Sequence, residues 1–387
     1  MLFIKFPFFI TIFDVLFSGV FVSLGLGTGL MYFFALSILV SVFSFFLYKK
    51  NINIVLAICL LLLFIYLLVS NVLVYEKLGI VNLLRPLFIS FLILVFFQYR
   101  DKIRIDEFRS IILWLYMTIK YTVILSFLLY LFHRTGLVTF ERLISFGDRF
   151  SGLSYELLSA SYVFFILIYL NGIMSRHSTS MIIIGLIALY LTKSNFLLVI
   201  LFAYFVSYFQ KINIIPKGLS ALSILIIPLL FLVIMYYLNL NEHNIVHIVD
   251  GMGVRGGGWD VYARLLGLIL LLNDGITIDI LPPLFGNGIY FKDLLAQPML
   301  GFVNMFLDFS WLYIIVLSLI ALYYYRVLFF MHNGEACISE YAALNVSIMY
   351  LFTNPVYYSP LPMFIIIFIV RISELRKYNK RARDSSY

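Results

Sequence analysis

Apolar runs of about 18 or more residues, with few charges, recur from one end of this 387-residue chain to the other. That recurrence limits the possible folds more than any other feature. Each run is long enough, as a helix, to cross a hydrocarbon layer about 30 Å thick. In such a layer backbone amides must be satisfied inside the segment, so the runs predict helices, and the alternating strands of a barrel are not seen. Twelve spans are expected, over 7–24, 29–48, 53–75, 80–98, 110–132, 154–175, 180–192, 194–210, 219–239, 300–325, 338–354 and 357–371. The expected fold class is an all-α polytopic membrane protein, with 1–387 forming a single transmembrane domain.

Composition excludes the soluble alternative. Hydrophobic residues make up 63% of the chain and charged residues 12%, with a mean hydropathy of +1.05. Soluble domains are about half apolar and about a quarter charged. No segment is polar enough to form a separate soluble unit. The first residues, with Lys5, an apolar stretch and no small-residue cleavage site, predict a retained first span.

The net charge of +8 is not a nucleic-acid signal, because much of it sits beside spans. Arg376, Lys377, Lys380, Arg381 and Arg383 directly follow the last span, where they suit anionic membrane lipid. Counting Lys and Arg sets the orientation. With both termini inside, 17 fall on the cytoplasmic side and 8 outside, while Arg85 and Lys120 lie within spans. This N-in/C-in arrangement puts two loops on the outer (periplasmic) face, 133–153 and the long 240–299. Cys59 and Cys337 lie in or beside spans and share no loop, which disfavours a disulfide framework.

The first outer loop closes with Gly147-Asp148-Arg149-Phe150-Ser151-Gly152-Leu153-Ser154-Tyr155-Glu156 and runs straight into the sixth span. Arginine keeps its charge and offers a rigid fork of donors matched to phosphate oxygens. A helix N-terminus adds a field that favours the same anion, and Gly152 permits close approach of a backbone or ligand. An equally open reading pairs Arg149 with Asp148 or Glu156 as a simple interfacial anchor.

The second loop carries Arg255-Gly256-Gly257-Gly258-Trp259-Asp260-Val261-Tyr262-Ala263-Arg264, then Pro282-Pro283-Leu284-Phe285-Gly286-Asn287-Gly288. Arg255 and Arg264 flank Trp259 and Tyr262, a set suited to cationic and stacking contacts with an anionic glycolipid headgroup. Belt aromatics at the interface are the plainer reading of Trp259. At about 60 residues the loop is longer than ordinary connections, and loops of that length are usually functional or disordered. The apolar run at 265–272 predicts an interfacial helix within it.

Arg85 and Lys120 are costly in a span and are expected to face the bundle interior, with Asp14 a conceivable partner. His243 and His247 lack the further ligands a zinc site needs, so no metal site is expected. No Walker A loop, nucleophile elbow or dinucleotide fingerprint is present. Any catalysis would therefore use an already activated substrate, with no cofactor.

Four features in order resemble the O-antigen polymerase and O-antigen ligase superfamily of bacterial inner-membrane glycosyltransferases. Arg149-Phe150-Ser151-Gly152-Leu153 with Glu156 is similar to the family's Arg-x-x-Gly motif with its downstream carboxylate. Leu191-Thr192-Lys193-Ser194-Asn195 is similar to Leu-Thr-x-Ser-Arg, with Asn195 where arginine is usual. Arg264 followed by Pro283-Leu284-Phe285-Gly286-Asn287-Gly288 resembles the large-loop motif. Val303-Asn304-Met305-Phe306-Leu307 resembles His-Asn-x-x-Leu, with Val303 in place of the ligases' histidine. That departure favours the polymerase branch.

The resemblance implies transfer of a growing glycan from undecaprenyl diphosphate to a lipid-linked repeat unit at the periplasmic face. Donor and acceptor would both be undecaprenyl-diphosphate-linked oligosaccharides, and a chain-length regulator protein is a further partner it admits. Arg149 and Arg264 would stabilise the departing diphosphate, with Glu156 or Asp148 as general base. Arg255, Trp259, Tyr262, Gly152, Gly286, Asn304, Arg85 and Lys120 are the candidate substrate-binding residues. A ligase is the nearest alternative. A lipid-linked oligosaccharide flippase is the alternative of a different class, and charges within spans support it.

Overall fold

The computed structural model describes residues 16–17, 20, 105–136, 145–146, 149–153, 157–173, 178–194, 196–223, 226, 318, 321–322, 324–329, 331, 336–353, 362, 365–366 and 368–373. Among these, the structure is helical apart from one two-residue antiparallel ladder and the turns that connect the elements. The elements are α1 (Ile105–Arg134), β1 (Ser145–Phe146), β2 (Arg149–Phe150), α2 (Leu157–Ile173), α3 (Thr179–Leu191), α4 (Phe196–Lys211) and α5 (Ile338–Thr353). The helices coincide with the spans expected at 110–132, 154–175, 180–192, 194–210 and 338–354. Helix α1 runs on through Arg134, so the residues expected to open the outer loop form its last turn instead. The stretch Arg109–Arg134 is long and apolar enough to cross a bilayer, and α3 and α4 are shorter apolar helices. The spans expected at 29–48, 53–75 and 80–98 lie outside the described residues, as do almost all of 7–24 and 219–239.

Burial sorts the helices into two kinds. From Ala160 to Asn171, α2 is buried on nearly every side, and so is α5 from Glu340 to Ser347. In contrast, α1, α3 and α4 are buried along one stripe. On α4 that stripe is Phe196, Ile200, Ala203, Ser207 and Gln210, stepping by three or four as a 3.6-residue period requires. Their other faces expose large apolar side chains, among them Leu113, Leu125 and Leu131 on α1, Ile183 and Leu186 on α3, and Leu198 and Phe205 on α4.

Small residues let these helices approach closely. A Cβ on Gly185 of α3 would sit 2.6 Å from Ile168 Cγ1 of α2, so only glycine fits without repacking. Ala188, Ala203, Ala342 and Ala343 are likewise fully buried.

Polar groups join the helices toward the end opposite the loop that follows α1. Tyr116 donates to Asn171 Oδ1 at 3.0 Å, and Asn171 Nδ2 donates to the Ser178 carbonyl at 3.1 Å, which closes the α2–α3 connection against α1. Between α4 and α5, Asn345 Nδ2 donates to Ser207 Oγ at 2.8 Å and to Gln210 Oε1 at 2.9 Å. Gln210 Nε2 donates to the Tyr324 hydroxyl at 2.9 Å, and that hydroxyl donates to Asn345 Oδ1, completing a closed buried ring. Its start is prepared locally: Glu340 reaches back to accept the Cys337 backbone N–H at 2.9 Å, as the third residue of a capped helix does.

Candidate functional site

The loop expected at 133–153 ends in a small hairpin. Ser145 pairs with Phe150 and Phe146 with Arg149. Between the paired positions the sequence is Gly147-Asp148, a composition favoured by tight two-residue hairpin turns. Phe150 anchors this hairpin to the helices. It is fully buried, stacks on Phe164 of α2 at 5.4 Å and 3°, and meets Tyr130 of α1 at 5.0 Å. The backbone of Arg149 is thereby held at one end of the bundle, a single residue from a side chain wedged between two helices.

Gly152 follows in the left-handed region, at φ +61°, which favours glycine over any side chain. A Cβ there would lie 3.3 Å from Phe164 Cζ and 3.6 Å from Ser126 Oγ. The close approach expected of Gly152 is therefore to the protein's own α1 and α2. Ser151 and Leu153 on either side are buried as well.

The second motif arrives at the same end. Ser161, one turn into α2, donates to Thr192 Oγ1 at 3.1 Å, and Thr192 donates to the Leu189 carbonyl at 2.7 Å. Thr192 is completely buried, and its oxygen also receives the Ser194 backbone N–H at 3.3 Å. Ser194 Oγ then accepts the Phe196 N–H at 3.2 Å and caps α4. Between them Lys193 takes φ +49°, a conformation costly for a residue with a side chain, and it is exposed. The strand β2 also packs against α3. Two motifs some forty residues apart in sequence thus share one end of the bundle, and Arg149 and Lys193 both fall in the segments brought there.

The wall behind them is aromatic. Tyr162 hydrogen-bonds Ser347 at 2.7 Å and lies 4.5 Å from the Tyr350 ring, while Phe196 meets Tyr350 edge-on at 6.0 Å. Sequence reasoning missed Ser161 and Tyr162 among the residues that position this end, and Thr192 was marked only by its motif. The signal available for them was faint: hydroxyls on otherwise apolar spans.

Lys120 does not belong to this constellation. It lies ten residues before Tyr130 on α1, about 15 Å down the axis at 1.5 Å per residue. It is half-buried, not enclosed in the interior, with its ammonium 6.0 Å from the Tyr116 ring and 5.7 Å from the Tyr121 ring. The rings offer their negative faces to a cation that the helix carries at mid-length.

Asp148, Glu156, Arg85, Arg255, Trp259, Tyr262, Arg264, Gly286 and Asn304 lie outside the described residues, and so do His243 and His247. Among the described residues, no cluster of His, Cys, Asp or Glu is placed to hold a metal ion. No protein-family model, curated protein or solved structure matches the chain.

Proposed function

We propose that this protein is a multi-pass membrane glycosyltransferase of the O-antigen polymerase type, located in the bacterial inner membrane. It would transfer a growing glycan from undecaprenyl diphosphate to a lipid-linked repeat unit at the periplasmic face. The observation that carries this reading is the meeting of Arg149's hairpin with the Thr192–Ser194 turn at one end of an apolar bundle. Exposed apolar stripes on α1, α3 and α4 support the membrane part of it. In water such continuous surface would drive association, whereas hydrocarbon accommodates it.

The chemistry follows from an activated donor. An acceptor hydroxyl attacks the anomeric carbon, the bond from that carbon to the diphosphate oxygen breaks, and undecaprenyl diphosphate leaves. The hydroxyl proton passes to a carboxylate, for which Glu156 and Asp148 are the nearest in sequence to Arg149. Negative charge grows on the leaving diphosphate as the bond lengthens, so fixed guanidinium groups lower the barrier. Arg149 and Arg264 fill that role, with Arg255 and the aromatic pair Trp259 and Tyr262 holding the headgroup.

Removing one such donor costs about 3 kcal/mol, on the order of a hundredfold in rate. Arg149→Ala and Arg264→Ala are each expected to leave the protein in the membrane and to reduce long-chain glycan to single-repeat product on a gel. Normal polymer lengths in both variants would overturn the assignment. A deletion strain separates the alternatives: bare core with accumulated polymer indicates a ligase, and cytoplasmic lipid-linked units indicate a flippase.

A further inference from the structure

At the end of the bundle opposite the hairpin, three cations sit on neighbouring segments beside exposed apolar side chains. Gln210 of α4 is hydrogen-bonded to Tyr324 at 2.9 Å, which ties the exposed Lys211 to the helical residues 324–329. The connection after α4 is a compact turn. Asn213 takes φ +58°, and the Ile214 N–H returns to the Phe209 carbonyl at 3.0 Å. It leads into the helical residues 217–223, where the half-buried Lys217 sets its ammonium 5.1 Å from the centre of the Phe329 ring. Arg326 lies one turn before Phe329 on the same exposed stripe, which also carries Leu322.

Two further observations bear on what this surface takes. Ser220, three residues after Lys217 and on the same face of its helix, is buried, and its hydroxyl has no hydrogen-bond partner among the described residues. Glu340 sits at this end too, but it is fully buried and engaged by the Cys337 backbone. Among the residues whose side chains are described, Glu340 is the only carboxylate, so no described side chain there neutralises the three cations.

We propose that Lys211, Lys217 and Arg326 bind the phosphate headgroup of one anionic phospholipid, whose acyl chains lie against Leu219, Leu222, Leu322 and Phe329. Arg326 supplies a planar fork of donors and the lysines point charges, a combination suited to a phosphodiester. Basic pockets between spans on the cytoplasmic side recognise such headgroups. Phe329 orients the Lys217 ammonium, and the Ser220 hydroxyl supplies a neutral donor. The exposed leucines give the chains a surface that a free anion would not need. The proposal rests on the membrane reading above and concerns the face away from the transferase site.

The full-length protein in detergent is titrated with phosphatidylglycerol, with phosphatidylcholine of the same chain length, and with inorganic phosphate, and adducts are counted by native mass spectrometry. Phosphatidylglycerol is expected to bind and phosphatidylcholine to bind far more weakly. Each cation near a charged surface is worth about fivefold, so Lys211→Gln/Lys217→Gln/Arg326→Gln is expected to lose on the order of a hundredfold. The charge-conserving pair Lys217→Arg/Arg326→Lys keeps most binding, which separates loss of the site from loss of the fold. Arg134→Gln, at the hairpin end, leaves binding unchanged.

Equal retention by the triple variant, equal binding of phosphatidylcholine, or inorganic phosphate binding as tightly as the lipid would each overturn the proposal. Alkaline carbonate extraction of cell membranes distinguishes the two levels. Release of the protein would defeat the membrane reading and the lipid site together. Retention, with a triple variant that binds like the wild type, would defeat the lipid site alone.

Discussion

Two positions, separated by one residue, hold the hairpin end together by different means. Phe150 fills a slot between α1 and α2, with Tyr130 and Phe164 as its walls. Gly152 supplies a backbone turn that a side chain would strain, against a Phe164 ring with little room to yield. A left-handed conformation costs a non-glycine residue about 1–2 kcal/mol. Gly152→Ala is therefore expected to lower stability by about that amount, read as a lower unfolding midpoint in a denaturing-detergent titration; an unchanged midpoint would mean the turn relaxes freely. From the sequence, Gly152 stood out for close approach by a backbone or a ligand. The ring that actually approaches it comes from Phe164, which no motif marks. Thr192 shows the same limit: its spacing beside Lys193 and Ser194 was noticed, but its hydrogen bond to Ser161 depends on how α2 and α3 cross.

For the five described helices, existence and approximate extent were legible because long apolar runs have few other outcomes in a membrane. Partners were not legible. The ring of Ser207, Gln210, Tyr324 and Asn345 is built from four uncharged residues, two of them separated by 138 positions, and each alone is unremarkable on an apolar helix. In lipid a hydrogen bond between helices contributes about 0.6 kcal/mol on average. Asn345 makes three of the ring's bonds, so Asn345→Leu is expected to cost about 2 kcal/mol. The check is the same detergent titration, with Leu344→Ile, a change of shape without polarity, as the comparison. A cost no larger than that of Leu344→Ile would show that packing, not the ring, joins α4 to α5. The two-residue ladder of β1 and β2 escaped prediction for a different reason. Two residues are too few to show alternation, and only the Gly147-Asp148 pair hinted at a turn.

For the molecule as a whole, the alternation of helices assigns each connection to an end. Gly136, the hairpin and Lys193 share one end. The Asn171–Ser178 connection, Asn213, Arg326 and Cys337 share the other. Lys and Arg counts had put the first set outside and the second inside. In a chain with Cys59 and Cys337 replaced by serine, Gly136→Cys and Lys193→Cys are expected to react with a membrane-impermeant maleimide in intact cells. Asn213→Cys and Arg326→Cys are expected to react only after the cells are opened. Reaction of Lys193→Cys together with Arg326→Cys in intact cells would contradict the arrangement of α3, α4 and the helical residues 324–329.

The burial of α2 on nearly every side has a consequence for how the chain is made. Its Tyr162 hydroxyl meets Ser347 only after 185 further residues have been synthesised, and Ser207 and Gln210 wait almost as long for Asn345. On the membrane reading, until α5 emerges from the ribosome these early helices lie in the bilayer with hydroxyl and amide groups turned toward lipid or toward provisional neighbours. Addition of α5 is then the step that seals the centre, and the hydroxyl and amide groups of α2 and α4 find their partners only when it arrives.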